Sequence, residues 1–138
     1  MRNKIKLIQQ PTDNFYDIAR LHCEEETLFE WGKCDCILWV CDYIYKIHGV
    51  DHAKDYRGKY NSQLSARRIM RKLGADTIES LVDSYYKRVH ITFAKRGDLI
   101  LSPNKAMGIC LGVYSHFLGA GGMIKIPTQQ CLAAWSIK

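Results

Sequence analysis

Three of the chain's six cysteines lie within eight positions, in the stretch FEWGKCDCILWVCDYIYKIHG at residues 29–49. Such a cluster can bind a metal, form a disulfide or supply one reactive thiol. Metal binding is disfavoured because Cys34, Cys36 and Cys41 are spaced C-x-C-x4-C, unlike the C-x2-C pair of structural zinc sites, and no second pair follows. We therefore expect no metal, and no sequence motif calls for a cofactor.

A disulfide within the cluster is disfavoured as well. Cys34 and Cys36 are too close in sequence for a relaxed bridge. Cys41 lies on an apolar stripe, where a free cysteine behaves as a small hydrophobic residue. We expect the same core role for the three cysteines elsewhere in the chain, which are Cys23, Cys110 and Cys131.

Cys36 differs because it stands where a helix should begin. The apolar spacing after it predicts a helix over about 35–48, with Gly49 as its stop signal. If Asp35 is near the N-cap, unpaired backbone N–H groups and the helix dipole should stabilise a Cys36 thiolate and lower its pKa. The alternative is a cysteine that begins a helix for structural reasons only.

The surrounding sequence predicts an α+β fold. Helix signals indicate a first helix at about 12–26, a third capped by Ser62 and ended by Gly74, and a fourth with Asp76 and Glu79 as its capping box. From residue 89 the pattern changes to short β-rich runs separated by turns, which predicts an antiparallel meander packed on the cysteine-bearing helix. These runs are VHITF, DLILS, MGICLGV, GMIKIP and LAAWSI.

Composition limits the classes of function. The 138 residues suit one domain, spanning 1–138. A net charge of +6 favours an anionic partner, but the basic residues are dispersed and form no nucleic-acid motif. No apolar run is long enough for a membrane span, and the start MRNKIKLIQQ fails as a signal peptide, so we expect a protein made in the cytoplasm with free thiols.

Several motifs together resemble one family. FEWGKCDC before a helix, RGKY in a loop, and then RGDLIL, AMGICLG and CLAAW are similar to the NlpC-type papain-like cysteine peptidases, over about residues 28–136. In particular they resemble a small branch of unassigned function, encoded in phages, prophages and gene-transfer particles near tail genes. The resemblance implies a papain-like fold, with N-terminal helices on a β-meander or half-barrel, and Cys36 as the nucleophile.

The chain departs from that family at the next catalytic position. Active members place a histidine just before the strand that corresponds to MGIC, and here the matching residue is Ala106. Of the five histidines, His116 is our candidate for a substitute base, because it follows Ala106 by ten residues, near the family's third polar position. A plain strand-end histidine is the alternative reading of His116.

Two functions follow as expectations. In the first, the scaffold is a phage tail component or tail-assembly factor with reduced or no hydrolysis, which has tail proteins as partners and is carried in the virion tail. In the second, it is a cysteine peptidase or amidase that cleaves peptidoglycan stem peptides through Cys36, a histidine and the N–H groups of the helix start. Ala106 favours the first.

Overall fold

A computed structural model of the protein describes residues 11–137, without the side chains of residues 11–14. The segment MRNKIKLIQQ, on which the signal-peptide expectation rests, and Lys138 lie outside the described residues. The helices are α1 (Pro11–Glu24), α2 (Cys36–His48), α3 (Gln63–Lys72) and α4 (Ile78–Asp83). The strands are β1 (Lys87–Val89), β2 (Leu99–Leu101), β3 (Met107–Cys110), β4 (Tyr114–Gly119), β5 (Gly122–Pro127) and β6 (Ala133–Ser136).

The predicted α+β class is confirmed for this part of the chain. Its four helices precede a six-stranded antiparallel sheet with the order β1-β6-β2-β3-β4-β5. Strands β2 to β5 form a meander, whereas β6 returns across the sheet to lie between β1 and β2. The simple meander predicted from the sequence is therefore incomplete, since the position of β6 depends on long-range pairing. None of the described helices is long and apolar enough to cross a membrane.

Local capping explains where the helices begin. Asp35 caps α2, and Ser62 caps α3 through a reciprocal pair of bonds with Ser65, as the sequence predicts for both caps. The prediction for α4 is wrong by one residue. Thr77, not Asp76, has the extended backbone of an N-cap and forms the capping box, with Ser80 as its partner.

Two segments of the sheet region differ from the sequence prediction. Residues 91–93 of VHITF form a 3-10 turn rather than a strand. Strand β4 was not predicted, because in YSHFLG the buried Ser115 and the partly buried His116 are polar, which hides the alternation expected of a half-buried strand.

The sheet buries side chains on both faces. On one face, Trp39 and Tyr43 of α2 pack with Leu101, Met107 and Ile109 of the sheet. The opposite face carries a separate core cluster, whose buried members are Ile100, Cys110, Phe117, Cys131 and Ala134. Helix α2 is thus fixed against the sheet, and its first turn lies near the start of β3.

Gly32 forms a close backbone contact before α2. Its φ of 82° lies in the left-handed region, and a Cβ added there would be 1.9 Å from the carbonyl oxygen of Tyr60. Its own carbonyl accepts a 2.8 Å hydrogen bond from the N–H of Gly58. Only glycine fits this contact, which joins the turn before α2 to the loop before α3.

We expect Gly32→Ala to lower the free energy of unfolding by at least about 3 kcal/mol. The added Cβ would force the backbone of Tyr60 to move, and the alanine would have a strained positive φ. Gly58→Ala is the matched control, since its φ is 71° but no atom lies within 4 Å of the added Cβ. That control should cost only about 1 kcal/mol. Urea denaturation measures both, and equal losses would contradict the importance of the contact.

Candidate functional site

The carboxylate of Asp35 fixes the start of α2. Its Oδ1 accepts hydrogen bonds from the backbone N–H groups of Ile37 at 3.1 Å and Leu38 at 3.0 Å. Its Oδ2 accepts from the N–H of Gly32 at 3.1 Å and from the hydroxyl of Tyr60. The residue is only 1% exposed, and four donors compensate for its burial. Cys36 is thereby held at the first residue of α2, as the sequence predicts.

The hydroxyl of Tyr60 gives the RGKY segment a structural role that the sequence did not indicate. The loop 49–61 folds back so that Ala53 and Tyr60 pack against Leu38 and Cys41 of α2. Because the hydrogen bond from Tyr60 to Asp35 joins residues 25 apart in the sequence, no local pattern could reveal it. Tyr60 therefore positions α2 through Asp35.

The environment of Cys36 raises the pKa of its thiol, which corrects the expectation of a lowered pKa. Burial is the largest cause, and the nearby charge of Asp35 adds to it. The backbone N–H groups of Met107, Ile37 and Cys36 itself favour the thiolate, but they are outweighed by desolvation. The Ile37 N–H is also engaged by Asp35, so the helix start offers the sulfur less stabilisation than an uncapped helix would.

The three cysteines of the cluster are not bonded to one another, although Cys41 lines the same cleft as Cys36. Cys41 is buried against Leu38 and Tyr60, and burial raises the pKa of its thiol to about 12. Cys34 packs against the main core, and burial raises its pKa too. All six cysteines are free thiols. Within residues 11–137, no group of three or more potential ligands is arranged to hold a metal ion.

Cys36 opens onto a cleft of about 590 Å³. One wall is α2, which contributes Cys36, Val40 and Ile44 along about 12 Å of helix. The opposite walls come from the loop 52–60, from α3 and α4, and from the ends of β2 to β4. Most of the lining is apolar or aromatic, and such a concave site is the usual place for a ligand.

Ala106 lies in this cleft beside the thiol. Its chain neighbour Met107 supplies an N–H group that acts on the Cys36 sulfur, so the structure brings together the two positions that the resemblance pairs. The Ala106 N–H donates to the Oγ of Ser102 at 2.9 Å, and Lys105 adopts a φ of 68°, which fixes the turn before β3. A methyl group thus occupies the place expected for the base.

His116 is not among the described residues that line the cleft. It lies on β4 opposite Ile109 and Lys125, whereas the cleft is lined by Leu118, about 6.6 Å further along the strand. Its Nδ1 is buried with no hydrogen-bond partner in the described part of the chain, and burial lowers its pKa. The role of His116 as a base stays a prediction, which this position does not favour.

The structure instead brings His52 into the cleft. Its Nε2 lies 2.8 Å from the hydroxyl of Tyr86, and its ring is 4.1 Å from that of Tyr85. Its neighbour Ala53 packs near Cys41, about 7.5 Å along α2 from Cys36. The imidazole is therefore engaged by tyrosines at another part of the cleft.

The other three histidines have partners away from Cys36. Nε2 of His22 is 2.8 Å from the Trp39 carbonyl oxygen, and Nε2 of His48 is 2.6 Å from that of Ile137. Nδ1 of His90 is 2.8 Å from the hydroxyl of Thr92. None of the contacts described for Cys36 involves an imidazole.

A family model described as a domain of unknown function, DUF6950, matches residues 18–137. The chain belongs to this family. The matched range contains the Asp35 cap, Cys36, the cleft and Ala106, so the candidate site lies inside the family's domain. No curated protein matches the chain.

We expect Asp35→Ala to lower the free energy of unfolding by about 3 kcal/mol, because it removes a helix cap and leaves the buried Gly32 N–H and Tyr60 hydroxyl without an acceptor. Tyr60→Phe should cost about 1 kcal/mol, since one bond to the carboxylate is lost. Asp42→Ala, which removes a half-exposed ion pair with Arg57, is the control and should cost less than about 1 kcal/mol. Urea denaturation of the three variants should show this order, and similar losses in all three would count against the role of Asp35.

Alkylation of Cys36 by iodoacetamide should be slow at neutral pH, because its raised pKa leaves little thiolate there. The rate should rise about tenfold per pH unit while the thiol is mostly protonated, and it should level off at a higher pH than for an ordinary cysteine. Peptide mapping by mass spectrometry follows the site, with Cys36→Ser as the control for assignment. A rate that levels off below pH 8 would show an activated thiolate instead.

Proposed function

We propose that the protein is an NlpC-type papain-like domain that holds a peptide in its cleft with little or no hydrolysis. We further propose that it serves as a phage- or prophage-encoded tail component or tail-assembly factor. The tail role derives from the sequence resemblance. The reduced hydrolysis derives from the site, where Ala106 stands beside the Cys36 thiol.

The chemistry of amide cleavage explains why this residue matters. A cysteine can add to a carbonyl as the thiolate, but the departing amine must receive a proton. A positioned acid and base contribute about 10²- to 10⁴-fold in rate, and the methyl group of Ala106 can do neither. Because Asp35 also engages the N–H groups of Ile37 and Leu38, these two donors are not free to stabilise an oxyanion.

The arrangement of the helices and sheet supports the papain-like part of the proposal. A cysteine at the first residue of a buried helix faces the beginning of a central strand of an antiparallel sheet. Cys36 and Ala106, which the resemblance pairs across 70 residues, lie in the same cleft. These two observations support a domain that binds a peptide in the cleft but lacks the group for proton transfer.

The second candidate is a cysteine peptidase or amidase acting on peptidoglycan stem peptides. The observation that favours it is the exposure of the Cys36 thiol to a large cleft that also contains an imidazole, that of His52. This reading requires His52 to leave Tyr86 and approach Cys36, or His116 to move into the cleft.

Digestion of purified muropeptides separates the two candidates. We expect the wild type to release no more product than Cys36→Ala, because no imidazole of the described residues is in contact with the thiol. Ala106→His should raise product release at least about tenfold by restoring an imidazole at that position. The double variant Ala106→His with Cys36→Ala should again be inactive, and thermal unfolding checks that Ala106→His is folded.

Wild-type turnover well above that of Cys36→Ala would contradict the proposal and favour the peptidase. In that case His52→Ala and His116→Ala identify the base. Only the substitution that removes the true partner of Cys36 should abolish turnover while the variant stays folded.

A further inference from the structure

One face of α3 brings two unpaired cations to the cleft. Arg67 and Arg71 both line it, and they are one helical turn apart. Within residues 11–137, neither guanidinium takes part in a hydrogen bond or an ion pair. By contrast, Lys105 at the same cleft is neutralised by Glu79, at 2.6 Å. Arg67 and Arg71 are therefore positive groups with no internal counter-charge.

The remainder of the lining suits a peptide. Gln63 and Asn104 contribute side-chain amides that can bond to peptide groups, the Asn104 amide through its NH2 group because its Oδ1 accepts from the Ser102 hydroxyl. The aromatic rings include those of Trp31 and Tyr56. Asp76 is the one acidic residue of the described lining besides Glu79. With Glu79 bound to Lys105, the two arginines outnumber Asp76, so a ligand with negative charge is favoured electrostatically.

We propose that Arg67 and Arg71 form a subsite that selects an extended acidic peptide, with two carboxylates spaced two residues apart. The inference rests on the proposed function, because it assigns a chemistry to the peptide held in the cleft. Residues four apart on a helix have Cβ atoms about 5–6 Å apart, and alternate residues of an extended chain repeat about every 6.6 Å. Each guanidinium can then bind one carboxylate through two parallel hydrogen bonds.

The same features disfavour a fatty acid as the ligand. A long-chain carboxylate would suit the apolar lining, but it carries a single negative group and leaves one guanidinium unpaired. It also has no groups to bond to the amides of Gln63 and Asn104. Two arginines and two amides along one cleft match a chain with repeated polar groups better than an acyl chain.

Fluorescence anisotropy with three labelled probes tests the inference. The acidic probe is acetyl-Val-Glu-Leu-Glu-Val-amide, the neutral probe replaces both Glu by Gln, and the basic probe replaces both by Lys. We expect the acidic probe to bind at least about tenfold more tightly than the neutral one at about 50 mM salt, with the advantage shrinking as salt rises. The basic probe should bind most weakly.

Variants of α3 locate the effect. Arg67→Ala and Arg71→Ala should each weaken the acidic probe about fivefold and the neutral probe by a smaller factor, as expected when the charge of an exposed arginine is removed. Arg68→Ala is the matched control, because Arg68 is an exposed arginine on the same helix that does not line the cleft. It should change binding of the acidic probe less than about twofold.

The outcomes distinguish this inference from the proposed function. Equal binding of the acidic and neutral probes, or equal effects of the three arginine variants, would overturn the acidic subsite while peptide binding stands. Failure of all three probes to bind would overturn both. Palmitate serves as a competitor. If it displaces the acidic probe, binds more tightly than that probe and loses affinity in Arg67→Ala and Arg71→Ala, the cleft is assigned to an acyl carboxylate instead.

Discussion

The buried carboxylate of Asp35 is the interaction on which the site depends. It joins the first turn of α2, the turn at Gly32 and the loop that ends at Tyr60. The hydrogen bond from Gly58 to Gly32 and the packing of Tyr60 with Leu38 support the same arrangement. A buried charge is tolerated only when it is fully hydrogen-bonded, so the three segments must adopt their positions together. The same contacts that hold Cys36 also bring Tyr60 to the wall of the cleft.

This arrangement lowers the reactivity of the Cys36 thiol. A helix N-terminus stabilises a thiolate through its free N–H groups, but here the cap accepts from two of them and adds a negative charge nearby. Burial of Cys36 acts in the same direction. A site that prepares a nucleophile normally supplies a base to offset these effects, and Ala106 supplies none. The raised pKa of the thiol and the alanine at position 106 therefore both support the proposed loss of hydrolysis.

The helices that cover the cleft are less buried than α2. In α3 only Met70 is buried, and α4 has no fully buried residue. Their apolar residues Ile78, Leu81 and Val82 line the cleft, and Ile78 and Val82 also pack at the edge of the main core. A ligand that fills the cleft would remove this surface from water, so binding should be favoured by the hydrophobic effect and directed by the charges of α3.

The sequence by itself determined what depends on neighbours along the chain. It placed Asp35 at the cap and Cys36 in the first turn, located α3 behind Ser62, and predicted the α+β class, because capping and periodicity are local properties. Tertiary structure decided the rest. The insertion of β6 beside β2, the strand at Tyr114–Gly119, the entry of His52 into the cleft and the raised pKa of Cys36 all depend on contacts and burial between distant segments.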